Sequence, residues 1–380
     1  MNNVVSRLQP FGETIFATMS AKAAAAGAIN LGQGFPDEDG PQSMLERAVE
    51  EIRGGNNQYA PGKGFPVLRQ AVARERRFRY NQDLDPDSEV FITVGATETI
   101  AATILGLVEP GSEVIVLEPF YDSYAAAIAL AGATRVAVPL VPRGGTWDID
   151  ETALDAAVTE RTRMIIVNSP HNPTGAVLDV AAVARVAVRH DLLVLADDVY
   201  EHLIFDGGTH TPIATLPGMW ERTITVSSAA KTFNATGWKT GWAVGPENLI
   251  QAVSRAKQFM TFVGASPFQP AVAHALDNEQ EWVTSMVGEL QRKRDFLATS
   301  LQKAGFHVHD TAGTYYIVAE VDRPGVEFAN WLIDAAGVAC IPVEVFTDHP
   351  EQWRNLVRFA FCKKWGVLEE AGRRLSALRV

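Results

Sequence analysis

The run Met164-Ile165-Ile166-Val167 puts apolar side chains on both faces of any strand it forms, because successive strand residues point to opposite sides. Such a strand needs cover on both faces, which in globular folds means a mostly parallel sheet flanked by helices. Comparable β-rich runs stand at 90–94, 114–117, 135–139, 192–196, 223–226 and 241–244, mostly separated by segments of helical periodicity. This alternation predicts an α/β fold, with a mostly parallel central sheet covered by helices in one large domain spanning 44–277. A charged helical stretch at 279–301 and strand candidates at 314–321 and 356–361 predict a second, smaller α+β region over 278–380. With 380 residues, 47% of them apolar, the chain is long enough for two compact cores.

Composition removes several classes of function. A formal net charge of −12 disfavours nucleic acid or an anionic membrane as a partner, so an anionic substrate would have to be drawn by a local positive pocket. Cys340 and Cys362 are too few for a disulfide framework or a structural zinc site, so free thiols, no metal and a cytoplasmic setting are expected. The N-terminal residues 1–7 hold no apolar core of a secretory leader. The longest apolar stretch, 125–141, is broken by Arg135 and Pro139, and it reads as helix, turn and strand rather than a membrane span. No internal repeat or low-complexity tract stands out, and no strand-to-helix turn carries the G-x-G-x-x-G fingerprint of a nicotinamide dehydrogenase.

Chemistry concentrates where the apolar runs end. Lys231 lies just past one of them, in Ser227-Ser228-Ala229-Ala230-Lys231, with Lys239 close behind. Two others deliver Asn168-Ser169-Pro170-His171-Asn172-Pro173-Thr174-Gly175 and Asp197-Asp198-Val199-Tyr200, and a fourth ends in Gly95-Ala96-Thr97 at the start of an expected helix. The carboxyl ends of strands are where open α/β sheets build their ligand crevice, and a helix start offers free N–H groups to an anion. Taken singly, each group has an ordinary reading. Lys231 and Lys239 are solvated charges, Asp197 is a helix cap, Asn172 a turn residue, Tyr200 and Tyr121 packing aromatics, and Arg358 a salt-bridge partner on an edge strand. Taken together, they suit pyridoxal 5'-phosphate (PLP), whose aldehyde needs an amine such as Lys231. Its pyridine nitrogen suits Asp197, its phenolic oxygen Tyr200 and Asn172, and its phosphate Thr97, Ser228 and Lys239.

At this point the chain resembles the class I aminotransferases of the fold-type I PLP architecture, and the likeness extends over nearly all of its length. The matching motifs run in family order: Asn30-Leu31-Gly32-Gln33-Gly34, Asn57-Gln58-Tyr59, Gly95-Ala96-Thr97, Glu118-Pro119-Phe120-Tyr121, Asn172-Pro173-Thr174-Gly175, Asp197 to Tyr200, Ser228 to Lys231, and Arg358. Within the family it is most similar to the actinobacterial N-succinyldiaminopimelate aminotransferases and, more broadly, to the kynurenine and glutamine transaminase branch. The resemblance implies that Lys231, Asp197 and Tyr200 are catalytic. It also implies that Tyr121 stacks on the cofactor ring, that Gly95, Ala96, Thr97, Ser228 and Lys239 hold its phosphate, and that Arg358, Gly34 and Asn172 bind the substrate carboxylate. Family members often carry Arg where Lys239 stands here. The N-terminal arm, 1–43, is implied to join 278–380 in a discontinuous small domain. Tyr59 is implied to reach the phosphate of a neighbouring subunit, so the partner is a second copy in a homodimer with shared sites. The implied reaction is a ping-pong transfer of an amino group between an amino acid and a 2-oxo acid.

Specificity hangs on one departure. The kynurenine and glutamine branch carries a Phe-His pair before a Pro where this chain reads Phe262-Val263-Gly264-Ala265-Ser266-Pro267. The small Gly264 and Ala265 favour a longer polar substrate such as N-succinyl-LL-diaminopimelate, paired with glutamate and 2-oxoglutarate, in lysine biosynthesis. A kynurenine, glutamine or methionine transaminase, or a cysteine-conjugate β-lyase, is the alternative. A non-catalytic PLP-binding regulator fits poorly, because only about 40 residues precede the core and no basic DNA-binding domain is appended.

Overall fold

The computed structural model describes residues 4–378. Residues 1–3 and 379–380, which include part of the stretch read above for a leader and the two ends of the expected small domain, lie outside the described residues. Each of the seven β-rich runs forms one strand: β1 Val90–Thr93, β2 Glu113–Glu118, β3 Thr134–Pro139, β4 Thr162–Asn168, β5 Leu193–Asp197, β6 Thr223–Ser228 and β7 Gly241–Val244. They build one seven-stranded sheet in the order β1-β7-β6-β5-β4-β2-β3. All run parallel except β7, which is antiparallel to both its neighbours.

Burial follows from the double-sided apolar pattern. Every residue of β1, β2, β6 and β7 is buried, whereas β3 at the edge keeps partly exposed positions. Helices cover both faces. Among them, Gly95–Leu107 follows β1 directly, and Val180–Arg189 packs an apolar stripe of Val180, Val183, Val186 and Ala187 onto the other side.

A second sheet is antiparallel and four-stranded, with β8 His307–Val308, β9 Tyr316–Glu320, β10 Ile341–Pro342 and β11 Leu356–Ala360 in the order β8-β9-β11-β10. The helices Gln280–Lys303, Gly325–Ala336 and Trp365–Ser376 bury Leu297, Leu301, Phe328, Leu332 and Leu368 in its core. The charged stretch read as helical is the first of these helices. From the N-terminal arm, Ile29–Asn30 pairs in parallel with Val338–Ala339. Cys340 and Cys362 are buried free thiols, and among the described residues no helix is long and apolar enough to cross a membrane.

Parallel strands end at one edge of a sheet, so β1, β4, β5 and β6 bring their carboxyl ends together. The reversed β7 brings its amino end to the same place, with Gly241 in register with Ser228 on one side and Thr93 on the other. There is no room at that junction. A Cβ on Gly241 would stand 2.7 Å from the Gly95 carbonyl carbon and 2.9 Å from Ala96 N, backbone atoms that open the helix after β1. Gly241→Ala is therefore expected to lower stability by about 1–3 kcal/mol through overpacking and to weaken PLP binding by displacing the helix start. A urea midpoint and a cofactor affinity both equal to wild type would contradict this account.

Candidate active site

The gathered strand ends enclose a cavity of about 410 Å³, a size suited to a small ligand. Lys231 sits on its wall in the short helix Ala229–Thr232, which starts immediately after β6. Its Nζ donates to the Tyr315 hydroxyl at 2.7 Å, and burial pulls its pKa down to about 8. An amine so placed is far more often neutral than a surface lysine, as a nucleophile or proton carrier requires.

Asp197 ends β5 and is 4% exposed. Burial raises its carboxyl to about 6, against the opposing effect of the Tyr124 hydroxyl, which donates to Oδ2 at 2.6 Å. Turn, not helix, follows it, so the capping alternative does not apply. The neighbouring Asn168 locks two loops together: its Nδ2 donates to the Asp197 carbonyl at 2.7 Å, and its Oδ1 accepts the Asn172 N–H at 2.7 Å. Tyr200 is buried in the turn that Asp197 opens, its hydroxyl 3.4 Å from that of Tyr316. That turn is pinned from behind by Glu201, whose carboxylate accepts from Arg76 Nη1, Tyr80 Oη and Ser227 Oγ at 3.1, 2.8 and 2.6 Å.

At the other end of the cavity the helix Gly95–Leu107 presents its first turn. Its N-cap, Val94, supplies no side-chain acceptor, so the dipole and free N–H groups face the cavity beside Thr97, Ser228 and Lys239. The Lys239 ammonium lies 3.3 Å from where a Cβ on Gly95 would stand, so the bare backbone of Gly95 is what lets that side chain lie against the helix start. Lys239 is exposed, but into the cavity. Tyr121 closes the wall next to Thr97, with burial raising its phenol to about 12.

Arg358 lies on β11, which is an interior strand, so the edge-strand salt bridge is ruled out. It is 1% exposed, with Nη1 donating to Asn172 Oδ1 at 2.8 Å and Nη2 to the Gly32 carbonyl at 3.0 Å. Its guanidinium lies over the Tyr316 ring at 3.9 Å, and its Nε has no partner among the described residues. Both acceptors are neutral. A buried guanidinium without a counter-anion is costly, and a planar fork of this kind is suited to a carboxylate in bidentate geometry. Gly34 lines the cavity next to Tyr316, whose hydroxyl a side chain at position 34 would overlap.

The structure thus brings Lys231, Asp197, Tyr200, Asn172, Tyr121, the Gly95-Ala96-Thr97 turn, Ser228, Lys239 and Gly34 to one cavity, with Arg358 reaching it through Asn172. It does not bring Tyr59. That side chain is 81% exposed, packs edge-on against Phe262 at 5.4 Å, and belongs to a separate surface hollow with Gln58, Gly264 and Ala265. Sequence reasoning missed Tyr124, Asn168, Tyr315 and Tyr316. Their signals were slight: a tyrosine three residues after Tyr121, the first residue of the Asn-x-x-x-Asn spacing, and a tyrosine pair at the start of a strand candidate.

An unpaired buried guanidinium, a buried carboxylate, a partly neutral amine and an uncapped helix start fit a ligand carrying a carboxylate, a basic ring nitrogen, a carbonyl and a phosphate. The comparisons agree. The family of aminotransferases class I and II matches residues 26–374. Over its length the chain is 55% identical to the probable N-succinyldiaminopimelate aminotransferase DapC of Mycobacterium tuberculosis, covering 98% of each, and 39% identical to the methionine aminotransferase of Escherichia coli, again covering 98% of each. A solved structure of N-succinyldiaminopimelate aminotransferase from Mycobacterium tuberculosis superposes with a TM-score of 0.96 over 98% of this chain and 99% of that one, at 55% identity. The fold and the site define a fold-type I PLP enzyme. More narrowly, the chain belongs to the class I and II aminotransferases, and its reaction is the PLP-dependent transfer of an amino group.

A carboxyl whose pKa rises from 3.8 to about 6 on folding makes the folded chain the tighter proton binder, so stability falls as pH climbs through that window. In the cofactor-free protein this burial costs on the order of 3 kcal/mol at neutral pH. Asp197→Asn is expected to raise the unfolding midpoint of the cofactor-free protein above pH 6, with the gain vanishing towards pH 4. In the loaded enzyme the same change should cut turnover about 100-fold or more. Equal midpoints at all pH values, or unchanged turnover, would reduce Asp197 to a structural residue.

Proposed function

We propose that this enzyme transfers the amino group between N-succinyl-LL-diaminopimelate and the glutamate/2-oxoglutarate pair, as a step of lysine biosynthesis in the cytoplasm. The observation that carries this reading is the full-length likeness to the mycobacterial N-succinyldiaminopimelate aminotransferase. The loop 262–267, which lies with Tyr59 in the outlying hollow and would therefore line the site of a second copy, supports it through the small Gly264 and Ala265, since a Cβ at Gly264 would meet nothing closer than 3.6 Å.

PLP, when bound, supplies an electron sink that lets an amino acid lose its α-proton. The chain's residues do the rest. Arg358, with the Gly34 backbone, fixes the substrate carboxylate and so decides which α-bond is exposed to Lys231. The Lys231 amine takes up that proton and returns it on the other side of the exchange. Asp197, as the buried carboxylate at the end of β5, would hold a proton on the ring nitrogen. Tyr200 and the amide N–H₂ of Asn172, whose oxygen is taken by Arg358, serve the phenolic oxygen. Tyr121 stacks on the ring, and Gly95, Ala96, Thr97, Ser228 and Lys239 hold the phosphate. In this reading 44–277 is the large PLP-binding domain, and 1–43 with 278–380 the small one.

Tyr59 serves the phosphate of a second copy, which makes the homodimer the active unit. Its exposure and the neighbouring exposed Phe259 and Phe262 support such an interface.

Borohydride treatment of the loaded protein should leave a pyridoxyl group on Lys231 and nowhere else, and a panel of amino donors should rank N-succinyl-LL-diaminopimelate first by kcat/KM. A higher value for kynurenine, glutamine or methionine would replace the substrate assignment, and dominant release of pyruvate and ammonia from a cysteine conjugate would make it a β-lyase. For the shared site, co-refolding inactive Tyr59→Ala, carrying a second interface-loop change, with Lys231→Ala should restore up to one intact site per mixed dimer. Mixed dimers that form and stay inactive would refute sharing.

A further inference from the structure

The Tyr315 hydroxyl makes two hydrogen bonds. Its hydroxyl accepts from Lys231 Nζ at 2.7 Å and donates its own proton to the Gly34 carbonyl at 2.5 Å. A phenol has one proton, so with that proton committed to a carbonyl, only oxygen lone pairs face the lysine. The residue is 1% exposed, and its ring is held edge-on between Tyr200 at 5.3 Å and Tyr316 at 4.8 Å. The carbonyl that sets this polarity is itself fixed. Asn30 Oδ1 accepts the N–H groups of Gly32 and Gln33, Arg358 Nη2 grips the Gly32 carbonyl, and the backbone at Gly34 is pressed against Tyr316.

The direction of the Lys231–Tyr315 bond matters to a proton carrier. A neutral amine has two N–H groups and one lone pair. Were the phenol to donate, it would occupy that lone pair. Because it accepts instead, one N–H is consumed and the lone pair stays free to take a proton from the cavity. We propose that Tyr315 is a positioning residue for Lys231, and that the Gly34 carbonyl, by taking the tyrosine's proton, keeps the free amine oriented with its lone pair towards the substrate. This rests on the reading of Lys231 as the nucleophile and proton carrier. It adds that the arm carrying Gly32 and Gly34 ties the carboxylate-binding Arg358 to the amine through one short stretch of backbone.

The test begins on cofactor-free protein. The pH dependence of Lys231 acylation, read by mass spectrometry of its peptide, should be half-maximal near pH 8 in wild type. In Tyr315→Phe, which loses an acceptor that favours the ammonium, the half-point should fall by roughly one pH unit. In the loaded variant, single-turnover proton transfer from an α-deuterated amino acid should slow about tenfold or more with a full isotope effect, while KM stays within about twofold. Should Tyr315→Phe fail to fold, 3,5-difluorotyrosine placed at position 315 weakens the same acceptor without removing it, and the half-point should move in the same direction. An unmoved half-point together with an unchanged proton-transfer rate in either folded variant would overturn the proposal. The two readings separate cleanly: absence of borohydride labelling at Lys231 in wild type defeats the nucleophile assignment, whereas normal labelling with insensitive Tyr315 variants defeats only this inference.

Discussion

A carboxylate and an amine share one poorly solvated cavity, and the architecture around them manages the energetic consequence. Burial pushes Asp197 and Lys231 towards neutrality from opposite sides, into the range where each can change state near neutral pH. Placed donors and acceptors orient both groups. Tyr124 answers Asp197, Tyr315 answers Lys231, and Asn168 ties the backbone at Asp197 to Asn172. These are neutral partners. They orient the charges without cancelling them, which leaves the cavity responsive to a ligand.

The remaining charges fit that logic. Lys239 and Arg358 sit at opposite ends of the site, one beside an open helix start and one under an aromatic ring, and among the described residues neither has a carboxylate bound to it. On a protein of net charge −12 they create a local positive field where an anionic cofactor and anionic substrates have to arrive.

Much of this was legible in the sequence because strand-end chemistry is local. An apolar run followed at once by Asp197, Lys231 or Gly95-Ala96-Thr97 marks both the strand and the polar group it delivers, and the runs proved to be the strands of one sheet. What could not be read depended on contacts between distant segments. Tyr316 opens β9 and Tyr315 ends the turn before it, and both look like strand aromatics; only the fold sets them against Lys231, Gly34 and Arg358. Arg358 was legible as a cation among apolar neighbours but not as an interior-strand residue, since strand order is not written in a strand's own residues. Tyr59 stands apart for a different reason: its loop turns away from the cavity of its own chain, and no pattern within one sequence describes a second copy.

The lone reversed strand has a consequence for the order in which the site can assemble. Since β7 is antiparallel to β6, the chain passes from Lys231 to Lys239 within one tight connection, with Asn234 and Lys239 both in left-handed backbone conformations at φ 52° and 51°. Parallel neighbours would have required a crossover and separated the two cations by a helix. A connection this local closes with little loss of chain entropy and can form early. The carboxylate-binding end is built the opposite way, for Arg358 has to find Asn172 across 186 residues and Gly32 across 326. Of the two halves of the site, the one around the lysines needs only a local closure of the chain, whereas the one around Arg358 needs segments from near the two ends of the chain to meet.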